Sequence, residues 1–125
     1  MSKSVLIIDD SKTMRKIITR TLRQAGLNFD TISEAEDGQV ALDFLAQNKP
    51  DLILCDINMP NMDGITFLKE KSKDGSIKDI PVVMITTEGG SEDVIQEAKE
   101  NGASASIKKP FTAEQVADAL NPLLS

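Results

Sequence analysis

Histidine is missing from this chain altogether. Its absence removes histidine-based acid–base chemistry, Ser-His-Asp and Cys-His triads, and most zinc sites. It also means that any phosphohistidine taking part in phosphoryl chemistry here belongs to another molecule. Tryptophan and tyrosine are absent too, and four phenylalanines are the only aromatics, in a chain of net charge −6. Nucleic-acid binding calls for basic patches and rings to stack on, so no nucleic-acid partner is expected. One cysteine cannot form an internal disulfide, which agrees with a reducing compartment. No apolar run approaches the roughly 20 residues of a membrane span. Met1-Ser2-Lys3-Ser4 leads straight into the first apolar run without a signal peptide, so no membrane insertion and a cytoplasmic location are expected.

At 125 residues, 40% hydrophobic and 27% charged, the chain reads as one soluble domain over 1–125, with monomer as the plain expectation for its assembly. Four apolar runs organise it. Val5-Leu6-Ile7-Ile8 ends in Asp9-Asp10, and Leu52-Ile53-Leu54-Cys55 ends in Asp56. Val82-Val83-Met84-Ile85 ends in Thr86-Thr87, and the weaker run Ala103-Ser104-Ala105-Ser106-Ile107 ends in Lys108-Lys109-Pro110. Asp30-Thr31-Ile32-Ser33-Glu34 reads as a further, polar and peripheral strand.

Helical patterns alternate with these strands. Ser11 is placed to cap a first helix with Met14, Ile17, Ile18, Leu22 and Ala25 on one face, stopped at Gly26. Asp37-Gly38 opens a second, with Val40, Ala41, Phe44 and Leu45 inward. The turn-rich stretch Asn58-Met59-Pro60-Asn61-Met62-Asp63-Gly64 precedes a short helix carrying Ile65, Phe67 and Leu68. Ser91 is placed to cap a helix through Val94, Ile95 and Ala98. Thr112 and Gln115 form a capping-box pattern before Val116, Ala117, Leu120 and Leu124. Strand and helix thus alternate five times, (βα)5, which predicts an α/β fold with a parallel sheet covered on both faces. Runs one, three and four are continuously apolar, as strands buried on both faces are.

Parallel strands put their carboxyl ends on one edge, where open α/β sheets bind ligands. Asp9, Asp10 and Asp56 meet there, and like charges at short range repel. A divalent cation resolves the repulsion, and oxygen-only ligands favour Mg2+. Taken alone, Asp9-Asp10 reads better as a helix start, since negative charge suits the helix dipole; Asp56 at the end of a second strand at the same edge favours the metal. A carboxylate in the central position of Asp56 can attack phosphorus and form an acyl phosphate. Such transfer rests on charge stabilisation, which a site without histidine can supply. Lys109 and Thr86 offer a cation and a hydroxyl to phosphoryl oxygens, although taken alone Lys109 reads better as a surface charge and Thr86 as an ordinary strand-end residue. Lys109-Pro110 is a bond of the kind that can be cis, which would aim the lysine.

Ile7-Ile8-Asp9-Asp10-Ser11, Asp56-Ile57-Asn58-Met59-Pro60-Asn61-Met62-Asp63-Gly64, Ile85-Thr86-Thr87-Glu88 and Lys109-Pro110-Phe111-Thr112, in that order, resemble the receiver domain of two-component response regulators. The resemblance spans essentially the whole chain and is nearest to the stand-alone chemotaxis type. It implies a flavodoxin-like three-layer sandwich with a five-stranded sheet of order 2-1-3-4-5. It implies that Asp56 accepts phosphate from a histidine kinase. It makes Asp10, Asp56 and the backbone carbonyl of Asn58 ligands of Mg2+, with Asp9 acting through water. It has Lys109 bridging to Asp56 and then to the phosphoryl group, and Thr86 moving to bond that group. Hydrolysis of the acyl phosphate would reset the switch. Asn58 and Glu88 stand where the family flanks the attacking water. Thr87 stands where it often has a small residue, so its bulk would slow entry of water or phosphodonor. The implied partners are the kinase, a phosphatase and a downstream protein target such as the flagellar motor switch. Binding would use the surface of the fourth helix, fifth strand and fifth helix.

One position departs from the pattern. Receivers usually carry an aromatic residue three before the lysine, and its rotation accompanies activation; here that residue is Ser106. A small hydroxyl cannot fill and vacate a pocket as a ring does, so a weaker or differently wired surface response is expected. Alternatives are a phosphate sink or relay intermediate, a receiver that binds partners without phosphorylation, an FMN-binding flavodoxin, and a small aspartyl phosphohydrolase of the haloacid dehalogenase type. The flavodoxin reading lacks rings to stack on the flavin. The hydrolase needs a second acid two residues after its nucleophile, where Asn58 stands, and usually a cap for which the chain has little room. Cys55 reads as packing, and Lys69, Lys71, Lys73 and Lys78 as a solvated basic face, with docking of an acidic partner as the alternative.

Overall fold

A computed structural model of the chain describes residues 3–57, 59, 61–86, 92–109 and 112–124. Strand and helix alternate as β1 (Ser4–Ile8), α1 (Lys12–Gln24), β2 (Thr31–Ala35), α2 (Gly38–Leu45), β3 (Leu52–Asp56), α3 (Gly64–Ser72), β4 (Val82–Thr86), α4 (Glu92–Glu100), β5 (Ala105–Lys108) and α5 (Ala113–Leu124). All strand pairs are parallel, and the sheet order is β2-β1-β3-β4-β5, the flavodoxin-like arrangement. The strands at the middle are closed off from water on both faces. β3 and β4 are buried throughout, whereas the edge strands β2 and β5 are only partly covered. That difference follows from composition, since Leu52-Ile53-Leu54-Cys55 can only sit in the interior and Thr31-Ile32-Ser33-Glu34 can only sit at a rim.

Two cores flank the sheet. Alternate side chains Val5, Ile7, Leu52, Leu54, Val83 and Ile85 pack with Ile18 and Leu22 of α1 and Val116 and Leu120 of α5. Leu6, Ile8, Ile53, Cys55, Val82 and Met84 face the other way, onto Ala41 and Leu45 of α2, Phe67 and Leu68 of α3 and Ala98 of α4. Helix starts obey local rules. Ser11 Oγ accepts from the Met14 amide at 3.1 Å, and Asp37 and Asp63 cap α2 and α3 in the same way. Thr112 and Gln115 exchange two bonds of 3.0 and 3.1 Å, the capping box. Gly26, at φ 79°, ends α1 in a conformation that costs other residues more.

Several expectations need correction. Ile17, Val40 and Val94 are 41%, 38% and 36% exposed, at the rims of their helices rather than inward. Lys71 is not part of a solvated face: only 4% exposed, it donates from Nζ to the Lys78 carbonyl at 2.8 Å. Burial lowers its pKa, with Asp79 opposing. Lys69, Lys73 and Lys78 are exposed as expected. The expected Ser91 cap and the geometry of Lys109-Pro110 lie outside the described residues.

Candidate functional site

The carboxyl ends of β1 and β3 deliver the acids. Asp9 follows β1 and is 1% exposed, Asp56 is the last residue of β3 and 6% exposed, and Asp10 is exposed. One carboxylate oxygen from each lies within 4.8 Å of the others. Lys109, following β5, reaches across with its Nζ 3.6 Å from Asp9 Oδ2 and 3.9 Å from Asp56 Oδ1. These are ion contacts, too long for hydrogen bonds. Thr86 closes β4, 3% exposed, and its carbonyl accepts from the Lys109 amide at 2.7 Å. Every described residue that the sequence assigned to acid, lysine and hydroxyl roles therefore stands at one edge. Asn58, Thr87 and Glu88 lie outside the described residues.

Asp9 is the most constrained of the acids. Its Oδ1 accepts from the Ser11 amide at 2.9 Å, and its own amide donates to the Ala35 carbonyl at 3.0 Å. Burial raises its pKa, the Ser11 amide and Lys109 pull it back, and Asp10 pushes it up. Its Oδ2 and the Thr86 Oγ1 are both buried without a hydrogen-bond partner among the described residues. Buried polar atoms ordinarily find partners, so these two mark where a cation or an oxyanion group would be received. Three carboxylates with no sulfur or imidazole donor, one with a buried oxygen that has no hydrogen-bond partner among the described residues, fit a hard divalent cation such as Mg2+.

Ser106 is half-buried in β5 and pairs with Met84 of β4. Met84 belongs to the core under α3 and α4, and side chains alternate along a strand. Ser106 therefore shares its face with Met84 and Thr86. Cys55 faces the same core; its Sγ lies 3.3 Å from the Asp56 carbonyl, and burial pushes its pKa well up, which suits packing rather than redox chemistry.

Sequence reasoning missed two supports of the site. Asp37, read only as a helix start, also accepts from Asn61 Nδ2 at 3.0 Å, and the Gly38 amide donates to the Met62 carbonyl at 3.3 Å. These bonds tie the loop after β3 to α2, with Asn61 held at φ 65°. Arg15 was not singled out at all, although it contacts the Asp9 carbonyl.

A family model described as the response regulator receiver domain matches residues 5–121. The chain belongs to the response regulator receiver family. Chemotaxis protein CheY-3 of Vibrio cholerae is 41% identical over 119 residues, covering 95% of this chain and 89% of the relative. A chemotaxis protein CheY homolog of Campylobacter jejuni is 39% identical over 121 residues, covering 96% and 91%. The solved structure of Vibrio cholerae chemotaxis protein CheY4 superposes with a TM-score of 0.85 at 32% identity, covering 98% of this chain and 99% of that one. Receiver domains are signalling proteins rather than classical enzymes, and they bind Mg2+ at an acidic pocket; the Asp9–Asp10–Asp56 cluster is an acidic group that could hold a metal ion. No described helix is long and apolar enough to cross a membrane.

Proposed function

We propose that this receiver, acting as a single domain over 1–125, is a phosphorylation-activated switch whose phosphoacceptor is Asp56. A carboxylate oxygen of Asp56 attacks phosphorus, the P–N bond of a histidine kinase's phosphohistidine breaks, and the imidazole leaves with the bond's electron pair and takes a proton. Asp10, Asp56 and the Asn58 backbone carbonyl would hold Mg2+, with Asp9 acting through water. When bound, the cation offsets charge on the phosphoryl oxygens. Lys109 pairs with Asp56 before transfer and with a phosphoryl oxygen afterwards, and Thr86 Oγ1 donates to another. Water then attacks the acyl phosphate, releasing inorganic phosphate and restoring the carboxylate; Asn58, Thr87 and Glu88 set the pace of that step. The output is binding of a protein target, with chemotaxis as the pathway its relatives suggest, the flagellar motor switch as candidate target and a phosphatase as a further partner.

The observation that carries the reading is Asp56 at the end of the central strand, with Lys109 Nζ at 3.9 Å and two further acids beside it. Incubation with Mg2+ and acetyl phosphate followed by intact-mass measurement is expected to show one added phosphoryl group, absent in Asp56→Asn. Steady turnover of phosphoesters without an adduct would instead favour a hydrolase, and neither adduct nor turnover a receiver that works unphosphorylated. Ser106 favours a second reading, a phosphate sink or relay intermediate, because the surface would then need to change little on phosphorylation.

A further inference from the structure

Two adjacent carboxylates can serve a cation only if the turn that carries them points them in a fixed direction. The side chain that holds this turn takes no part in the phosphoryl chemistry. Arg15 lies in the first turn of α1 with its side chain 14% exposed. Its Nη1 donates to the backbone carbonyl of Asp9 at 2.6 Å, and its Nε donates to Glu34 Oε1 at 2.8 Å. Glu34 neighbours Ala35, and the Ala35 carbonyl accepts from the Asp9 amide at 3.0 Å. The hydrogen bonds thus close a ring: Asp9 to Arg15, Arg15 to Glu34, along β2 to Ala35, and back to Asp9. With the Ser11 amide on its Oδ1, Asp9 is held at its amide, its carbonyl and its side chain.

The guanidinium is suited to this because its planar fork fixes two acceptors at once, which an ammonium cannot do in the same geometry. The outer ion pair alone would count for little, since the Glu34 side chain is 48% exposed and such pairs contribute weakly. The inner bond is the one that matters, because it is charge-assisted and mostly shielded from water. Paired with Glu34, the guanidinium brings little net positive charge to the cluster. What it supplies is direction.

We propose that Arg15 is a positioning residue for the metal-holding turn, strapping Asp9-Asp10 to the edge strand β2 through Glu34. What those carboxylates hold rests on the reading given under "Proposed function"; the strap itself rests on the bonds above. Loss of a group that orients metal ligands typically weakens metal binding by an order of magnitude. Arg15→Ala is therefore expected to raise the Mg2+ concentration for half-maximal phosphorylation by acetyl phosphate about ten-fold, at low and high ionic strength alike. The rate at saturating Mg2+ should change far less, which a general loss of structure would not produce. An unchanged Mg2+ requirement would overturn the proposal. So would a lowered one, the result expected if the arginine acted only as a positive charge repelling the cation. Calorimetric titration with Mg2+ alone gives the same comparison without a phosphodonor. A wild type that binds Mg2+ but forms no adduct would thus overturn the phosphoacceptor reading and leave the test of Arg15 intact. Should Arg15→Ala fold poorly, Glu34→Ala releases only the outer end of the strap, and a shift of about two-fold in the same direction is expected. No shift in Glu34→Ala would overturn the strap to β2.

Discussion

The two halves of the sheet edge are built differently. Around β1 and β3 almost every group near the acids is tied down. The Asp9 amide, carbonyl and one carboxylate oxygen are bonded, and the Gly64 amide donates to the Ile57 carbonyl at 2.8 Å. Asp37 and Gly38 hold Asn61 and Met62. Around β4 and β5 the same accounting finds Thr86 Oγ1 without a partner among the described residues, a four-residue edge strand, and a half-buried serine beside it. The Lys109 amide donates to the Thr86 carbonyl at 2.7 Å, joining the ends of the two strands on the loose side. Local free energies of opening vary within one fold, and elements that move are drawn from the less bonded end. Among the described residues, the half proposed to accept the phosphoryl group is thus the more rigidly bonded and the half proposed to sense it the more loosely bonded.

The rigid half is most sharply tested at Gly64. A Cβ there would lie 2.6 Å from the Asp56 carbonyl oxygen, 2.7 Å from Met84 Cε and 2.9 Å from Ile57 Cα. Two of those atoms are backbone at the end of β3 and cannot step aside as a side chain can. Gly64→Ala is expected to cost about 3 kcal/mol in urea unfolding, and to slow phosphorylation of Asp56 because the strand end must shift. A loss under about 1 kcal/mol would mean that this half yields more than its contacts imply.

Next in size is Asp37→Ala. It removes the α2 cap bond to the Val40 amide at 2.9 Å and the bond from Asn61, together about 2 kcal/mol. The bond from Asn61 and then the Val40 amide lower the Asp37 pKa from its ordinary 3.8. Its contribution is therefore complete above the unfolded-state value of about 4 and is lost as pH falls through the lower folded value. Wild type should lose stability across that acid window more steeply than Asp37→Ala. Parallel stability–pH curves for the two proteins would contradict the latch.

Asp9→Asn should divide the two roles of the rigid half, stability and cation binding. Burial raises the Asp9 pKa, so its ionisation costs the metal-free fold stability as pH rises from about 4 through the folded value. The amide keeps an oxygen for the Ser11 amide and sheds the charge repelled by Asp10 and Asp56. In chelator at neutral pH the variant is expected to be about 1 kcal/mol more stable than wild type. With Mg2+ present the order should narrow or reverse, because wild type gains more from the cation. A variant less stable in both conditions would show that the charge contributes to the fold itself.

The rigid half was also the half the sequence made legible. Continuous apolar runs ending in Asp9 and Asp56 located the central strands and the acids together, and Ser11, Asp37 and Thr112 marked three helix starts through short-range chemistry. What escaped were long-range bonds. Nothing local tells that Arg15 reaches back to the Asp9 carbonyl or that Asp37 serves Asn61 as well as its own helix. Lys71 was misread because a lysine is ordinarily solvated, and only the α3–β4 loop folded over it supplies the Lys78 carbonyl that makes burial tolerable. Ile17, Val40 and Val94 sit at the edges of apolar stripes, where spacing cannot separate a buried rim from an exposed one. At Ser106 the sequence showed what was missing, a ring, and the fold adds the face on which it is missing.

That face gives the last test, with the smallest effect on stability and the most direct bearing on the loose half. Ser106→Tyr places a ring beside Met84 and on the Thr86 side of β5, at a half-buried position. Its stability is expected to stay within about 0.5 kcal/mol of wild type. Amide chemical shifts with and without a beryllofluoride phosphate mimic should separate the two proteins. In wild type, movement of Thr86 toward the mimic has no ring to displace, so changes should stay near Asp56, Thr86 and Lys109. In Ser106→Tyr they should extend through β5 into α4, because a ring that fills or leaves a pocket gives a two-position element which the phosphoryl group can bias. A large wild-type rearrangement of α4 and β5 would mean that the freedom around Thr86 is transmitted by some other packing change, and that the serine does not weaken the sensing half.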